Sequence, residues 1–133
     1  LADSNLQPID QNTALFFQRY VIDEDYGGMA FEKEGERCAT LLANPEKKVL
    51  IMGNHGVLII GDNVADTFNR LYYFERAAET YIKALWTGKK LRVLSDEIAE
   101  KTAGQWDNYP EFSQRYFEEL KAILDEEEPS YCL

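Results

Sequence analysis

The chain has 133 residues and a mass of 15.3 kDa, which is enough for one domain and too little for two. Its formal net charge of −10 makes nucleic acid and anionic membrane surfaces poor partners, because both would repel it. Hydrophobic residues make up 45% of the chain, which excludes a disordered acidic tail and predicts a folded core.

The first third of the chain predicts short helices and an acidic turn. Asp10 is a good N-cap for a helix whose apolar face has helical spacing: Thr13, Phe16, Phe17 and Tyr20. Residues 20–23 alternatively begin a strand, and the paired glycines Gly27 and Gly28 end the acidic turn that follows. A second helix is expected from about Lys33, and Asn44-Pro45 ends it.

Two runs in the middle of the chain are uniformly apolar. They are residues 49–52 and 57–60, and the turn Gly53-Asn54-His55-Gly56 separates them. Uniform hydrophobicity is typical of strands covered on both faces, so both runs are predicted in the centre of a sheet. Two central strands cannot give each other neighbours on both sides. The other strands are therefore expected from an absent N-terminal segment or from another chain.

Three helices are predicted after the strands. Asp62 or Asn63 caps the first, which runs to Thr87 and ends at Gly88. Its expected inward face is Val64, Phe68, Leu71, Ala78, Ile82 and Leu85. Ser95 caps the second, with Ile98, Thr102 and Trp106 facing inward. Pro110 begins the third, whose predicted inward residues are Phe112, Tyr116, Leu120, Ile123 and Leu124.

The sequence contains neither a membrane-length apolar run nor a signal peptide, which favours a soluble protein. Cys38 and Cys132 are far apart, and Cys132 is next to the last residue, so no disulfide framework is expected and a reducing cytoplasm fits. The chain begins at Leu1 rather than at Met, and we expect it to be part of a longer or cleaved polypeptide.

His55 is the only histidine and lies between the two apolar runs. Flanking glycines let a ligand approach closely, and imidazole is the commonest metal ligand among side chains. The alternative is that Asn54-His55-Gly56 is simply a turn, since Asn and Gly are common in hairpin turns. Composition alone favours the turn, because a zinc site needs three or four protein ligands and this chain offers a single His and no clustered Cys.

The run from Lys48 to Asp62, followed by residues 64–65, Phe68 and residues 72–79, resembles the C-terminal half of the class II aldolase/adducin domain. The likeness extends through residues 8–12, 25–28, 124–125 and 129–131, and therefore covers essentially all of residues 1–133 as one part of a single domain. It implies an α/β/α sandwich with a central, mainly antiparallel sheet that is incomplete in this chain. It also implies a cyclic homotetramer with active sites near subunit interfaces.

The resemblance gives His55 a specific role. Enzymes of that family hold a divalent metal, usually zinc, with a His-x-His pair in the first half of the domain and the histidine of an Asn-His-Gly-like motif in the second. His55 matches that third ligand. The histidine pair, the catalytic carboxylate and the phosphate loop have no candidates in residues 1–133. The chain is therefore expected to need its N-terminal half, or another chain, to complete a site.

Three functions remain open. The first is a metal-dependent lyase that cleaves a carbon–carbon bond of a hydroxy-carbonyl, sugar-like substrate through a zinc-stabilised enediolate, with decarboxylases and epimerases as related chemistries. The second is a non-catalytic, adducin-like oligomeric scaffold that keeps the fold without the metal. The third is an independent acidic binding domain, which the uncovered strands argue against. Two histidines separated by one residue in the upstream sequence would favour the enzyme.

Other candidate residues have simpler explanations. Glu75 falls on the predicted apolar stripe, where it either supports the metal site or is a boundary carboxylate bonded to a neighbour, and the second is favoured. Tyr131 lies near the C-terminus and is assigned no role over a neighbouring site. The aromatic residues of the long helix are expected in the core or a subunit interface: Tyr72, Tyr73, Phe74, Tyr81 and Trp86.

Overall fold

A computed structural model of the chain describes residues 2–27 and 32–132. Its elements are α1 (Gln11–Ala14), β1 (Tyr20–Asp23), α2 (Glu32–Leu41), β2 (Val49–Met52), β3 (Gly56–Ile59), α3 (Val64–Trp86), α4 (Asp96–Asp107) and α5 (Pro110–Glu127), followed by a 3-10 turn (Pro129–Cys132). Gly28 of the expected glycine pair lies outside the described residues, and so does the side chain of Cys132.

The described strands form a three-stranded mixed sheet in the order β1, β2, β3. β1 pairs with β2 in parallel, from Tyr20 opposite Val49 to Asp23 opposite Met52. β2 pairs with β3 antiparallel, with Met52 opposite Gly56 at the turn. The parallel pair requires a crossover connection, and α2 supplies it. The expected strand over residues 20–23 therefore exists, and it replaces the end of the longer first helix.

The expectation that β2 lacks neighbours is wrong, because β1 and β3 flank it within this chain. Val49 and Leu50 are fully buried, as a central strand requires. β3 is only half-buried and has one neighbour among the described residues, and Ile60 lies beyond its end. Residues 57–60 were predicted in the centre of the sheet, but within residues 2–27 and 32–132 β3 lies at its edge. A further strand beside β3 stays a prediction.

The helix ends follow their capping residues. Asp10 accepts a hydrogen bond from the Thr13 backbone at 2.9 Å and forms a capping box with Thr13 at the start of α1. Asn63 and Ser95 accept equivalent bonds at the starts of α3 and α4. Gly88 follows α3 with a φ of 64°, a left-handed conformation that glycine adopts without a Cβ clash. Among the described residues, no helix has both the length and the hydropathy needed to cross a bilayer.

Two helices bury residues beside the predicted inward positions instead of the predicted residues themselves, and in α3 the offset changes direction between its start and its end. In α3 the buried residues are Ala65, Asn69, Phe74 and Ala77, whereas Leu71 is 43% exposed. A shift of one residue occurs in α4, where Ala99 and Ala103 are fully buried and Ile98 is 52% exposed. Small residues face inward because they let the helix axis approach its neighbours closely, and one residue corresponds to a rotation of about 100° around a helix. In α5, Ile123 is exposed as well.

The core lies where α1 and α3 meet the sheet. Phe16 and Phe74 pack edge to face with ring centroids 5.2 Å apart, and Val49 and Leu6 belong to the same cluster.

The buried Arg19 completes the packing between the start of β1 and α4. Its guanidinium donates to Glu100 at 2.7 Å and to Asp107 at 2.9 Å, which fixes α4 against the residues that precede β1. The hydrogen bond to Glu100 is the main cause that raises the pKa of Arg19 above its ordinary value. The guanidinium is therefore held in its charged form by its two carboxylate partners.

Candidate functional site

His55 lies at the tip of the turn that connects β2 to β3. Its backbone N–H donates to the Met52 carbonyl at 3.2 Å, and Asn54 before it has a φ of 55°. Asn tolerates this left-handed conformation better than most residues, which explains its place in the turn. The turn interpretation and the ligand interpretation are therefore compatible, because the turn is the element that presents the imidazole.

The imidazole is exposed, and one face of it is supported by Tyr26. The two ring centroids are 4.6 Å apart and the ring planes are inclined by 32°. Within residues 2–27 and 32–132, the His55 ring nitrogens make no hydrogen bond to protein. An exposed imidazole whose ring nitrogens are not engaged with protein groups is sterically available to a metal ion.

The described residues do not complete a metal centre by themselves. In this part of the chain no group of three or more His, Cys, Asp and Glu side chains is placed to hold a metal ion. Structural and catalytic zinc sites take at least three protein ligands. A metal ion bound at His55 would therefore need its remaining ligands from residues outside those described.

Asp23, Glu34 and Arg37 form a cluster of charged residues that contacts Tyr26 through the Arg37 guanidinium. Asp23, at the end of β1, is buried and accepts a hydrogen bond from the Arg37 guanidinium at 2.5 Å. Glu34 is bound by the same guanidinium, with an Nε to Oε1 distance of 3.1 Å. The hydrogen bond from Arg37 lowers the pKa of the Asp23 carboxyl below its ordinary value, and it has the same effect on the pKa of Glu34. Both carboxylates are therefore ionised at neutral pH.

Sequence reasoning did not identify Tyr26 or Arg37 as site residues. Tyr26 is separated from His55 by β2 and α2, so no local spacing connects them. The available signal was the stretch Asp25-Tyr26-Gly27-Gly28, which is part of the resemblance to the class II aldolase/adducin domain. Glu75 is exposed on α3, so it is not the costly carboxylate on a buried face that the predicted stripe implied. Tyr131 donates a hydrogen bond to Asp125 near the end of α5.

A cavity of about 590 Å³ opens between α2 and the sheet, next to Tyr26. Its walls are mainly apolar and include Cys38, Leu42, Leu58 and Ile60. A hydroxylated substrate would lose hydrogen bonds to water against such walls without regaining them. This cavity is therefore a poor fit for a sugar-like molecule.

Comparisons with known proteins identify the family. The family model described as "Class II Aldolase and Adducin N-terminal domain" matches residues 1–82. A protein of Caulobacter vibrioides named as an aldolase class 2 protein is 30% identical over 96 residues, which are 71% of this chain and 36% of that protein. The chain belongs to the class II aldolase/adducin family. Human gamma-adducin is 31% identical to this family member over 78 residues, or 59% of this chain and 11% of adducin.

Solved structures of the family share this fold. An aldolase II superfamily protein from Pseudomonas syringae superposes with a TM-score of 0.76 and 30% identity, over 91% of this chain and 48% of its own. L-fuculose 1-phosphate aldolase from Glaciozyma antarctica PI12 superposes with a TM-score of 0.72 over 93% of this chain and 47% of its own, and at 18% identity it shows the fold alone. This class II aldolase/adducin chain spans about half the length of these solved proteins and about a third of the Caulobacter relative.

Proposed function

We propose that this chain is part of a metal-dependent lyase of the class II aldolase type, which cleaves a carbon–carbon bond of a hydroxy-carbonyl, sugar-like substrate. The observation that carries the proposal is the exposed His55 imidazole, presented on a tight turn with its ring nitrogens free of bonds to the described protein groups. His55 would be one ligand of a divalent cation, zinc by preference. Such a cation, when bound, supplies a Lewis acid for the oxygen atoms of the substrate.

The remaining ligands would come from outside the described residues. We propose that residues 1–133 form the C-terminal part of one domain, and that upstream residues or another subunit supply the other histidines and the catalytic carboxylate. The same additional segment would extend the sheet at β3 into a mainly antiparallel α/β/α sandwich. The free edge of β3 among the described residues supports this, because an unpaired strand edge invites pairing. A cytoplasmic location is part of the same proposal.

An adducin-like, non-catalytic scaffold is the second candidate. The observation in its favour is that gamma-adducin and the Caulobacter aldolase-named protein match this chain at nearly the same identity, 31% and 30%. A scaffold can retain the same Asn-His-Gly turn after losing the metal, so the metal content decides between the two candidates.

The first test is the metal content of the polypeptide that carries this sequence at full length. We expect about one zinc, manganese or cobalt ion per chain by elemental analysis, together with aldol cleavage of at least one substrate in a panel of phosphorylated and free hydroxy-carbonyl sugars. A protein that purifies without metal and takes up none of the three ions at neutral pH would contradict the lyase. The adducin-like scaffold would then replace it.

Self-association is a second expected result. Several large apolar side chains of α3 and α5 are exposed, including Trp86 at 78%, and a groove of about 480 Å³ is lined by Phe68, Phe117, Leu120 and Leu124. Contiguous exposed apolar surface marks an interaction site, and in this family we propose a homotetramer. Light scattering of the full-length polypeptide should give an oligomer mass at micromolar concentration. A monomer under those conditions would count against the proposal.

A further inference from the structure

The His55 turn is anchored to the end of β1. The Gly53 N–H donates to the Asp23 carbonyl at 2.8 Å. A Cβ at position 53 would lie 3.2 Å from the Glu24 carbonyl oxygen and 3.3 Å from that of Asp23, so the turn packs tightly against the end of β1. The base of the turn is therefore fixed relative to Asp23, while the His55 side chain projects from its tip.

Asp23 also fixes a second group. Its carboxylate, almost completely buried, accepts the 2.5 Å hydrogen bond from Arg37, and Glu34 accepts hydrogen bonds from the same guanidinium. Two anionic partners hold a planar guanidinium in one orientation, because its N–H groups form a rigid fork. Arg37 thus has a fixed position relative to the end of β1.

Arg37 and His55 meet on Tyr26. The guanidinium carbon lies 5.8 Å from the centroid of the Tyr26 ring, within the range of a cation–π contact. The Tyr26 ring in turn lies 4.6 Å from the imidazole centroid. Asp23 therefore connects to His55 by two routes, through the Gly53 backbone and through Arg37 and Tyr26. Tyr26 is the side chain that carries this connection to the imidazole itself.

We propose that Tyr26, held by Arg37, is a positioning residue that fixes the plane of the His55 imidazole for metal binding. The inference rests on the proposed function, since it concerns the ligand that His55 would supply. An exposed histidine on a turn samples several rotamers, and each one that points away from the metal lowers the observed affinity. In other metal sites, loss of a group that orients a ligand weakens binding by about 10- to 100-fold.

The test is cobalt binding to the full-length polypeptide, followed by visible absorption in competition with a chelator. Tyr26→Leu should weaken cobalt affinity by about tenfold and shift the cobalt absorption bands. Tyr26→Phe should stay within about twofold of the wild type, because it keeps the ring, and the Tyr26 hydroxyl makes no hydrogen bond within the described residues. Arg37→Met should weaken binding by about threefold, since it removes the cation–π contact that holds the Tyr26 ring but keeps the ring itself.

Tyr109→Leu is the matched control, because Tyr109 is an exposed tyrosine that stacks on Phe112 instead of His55. It should leave cobalt affinity unchanged. If wild-type protein binds cobalt and Tyr26→Leu binds it equally well, the positioning role is wrong while the proposed function stands. If wild-type protein binds none of cobalt, zinc and manganese, the proposed function fails, and the inference fails with it. If Tyr26→Leu does not fold, the Arg37→Met result decides, and unchanged affinity and absorption bands in that variant overturn the inference.

Discussion

Replacing His55 with alanine is expected to lower the metal affinity of the full-length polypeptide by about a hundredfold or more and to abolish lyase turnover. A divalent ion at a three-histidine site would lose one of its strongest bonds, and a water molecule replaces imidazole poorly. The fold should persist, because the turn is held by backbone bonds. The bonds from His55 to Met52 and from Gly53 to Asp23 do not involve the imidazole.

Metal titration and circular dichroism of the same samples check this expectation. Asn54→Gly is a suitable control next to the substituted position, since glycine adopts the observed φ of 55° without strain and leaves the imidazole in place. Asn54→Gly should bind metal nearly as well as the wild type. Full metal occupancy in His55→Ala would show that the histidine is only a turn residue, as composition alone suggested.

Local chemistry made several features of the fold predictable from the sequence. Each helix cap depends on residues no more than four positions away along the chain. The predicted caps at Asp10, Asn63 and Ser95 and the predicted helix end at Gly88 were all confirmed. The two apolar runs were identified as strands for the same reason, and β2 is indeed central. Membership of the class II aldolase/adducin family followed from the residues around Asn-His-Gly, and the comparisons confirmed it.

Features that depend on distant contacts could not be predicted in this way. The parallel pairing of β1 with β2 joins segments on either side of α2, and the Arg19 ion pairs join the start of β1 to α4. The support of His55 by Tyr26 is of the same kind. Such partners are set by the topology of the chain, so no periodicity in the sequence reveals them.

The helix faces show a different cause of error. The face of α3 that packs inward contains Ala65, Ala77 and the polar Asn69, so Phe74 is its one large apolar side chain among the buried residues described for α3. The neighbouring face carries five large apolar residues that are exposed in the described part of the chain: Val64, Phe68, Leu71, Ile82 and Leu85. Helical periodicity therefore favoured the wrong face, because it weighs hydrophobicity and takes no account of how closely small residues allow helices to pack.

Phe74→Ala and Leu71→Ala together test which face of α3 belongs to the core. Phe74 is 6% exposed and packs against Phe16, so its truncation should lower the free energy of unfolding by about 3–5 kcal/mol. Phe74→Leu, which nearly conserves volume, should cost about 1.5 kcal/mol or less. Leu71 is 43% exposed, and its truncation should cost less than about 1 kcal/mol in the dissociated chain.

Urea unfolding of the full-length polypeptide at two widely separated protein concentrations distinguishes the two roles. The cost of Phe74→Ala should be the same at both concentrations, because its contacts lie within one chain. Any larger cost of Leu71→Ala should be present only at the higher concentration, where subunit association stabilises the folded state by mass action. If Leu71→Ala costs as much as Phe74→Ala at the lower concentration, the face containing Leu71 is part of the core, and α3 is rotated relative to the orientation that buries Phe74.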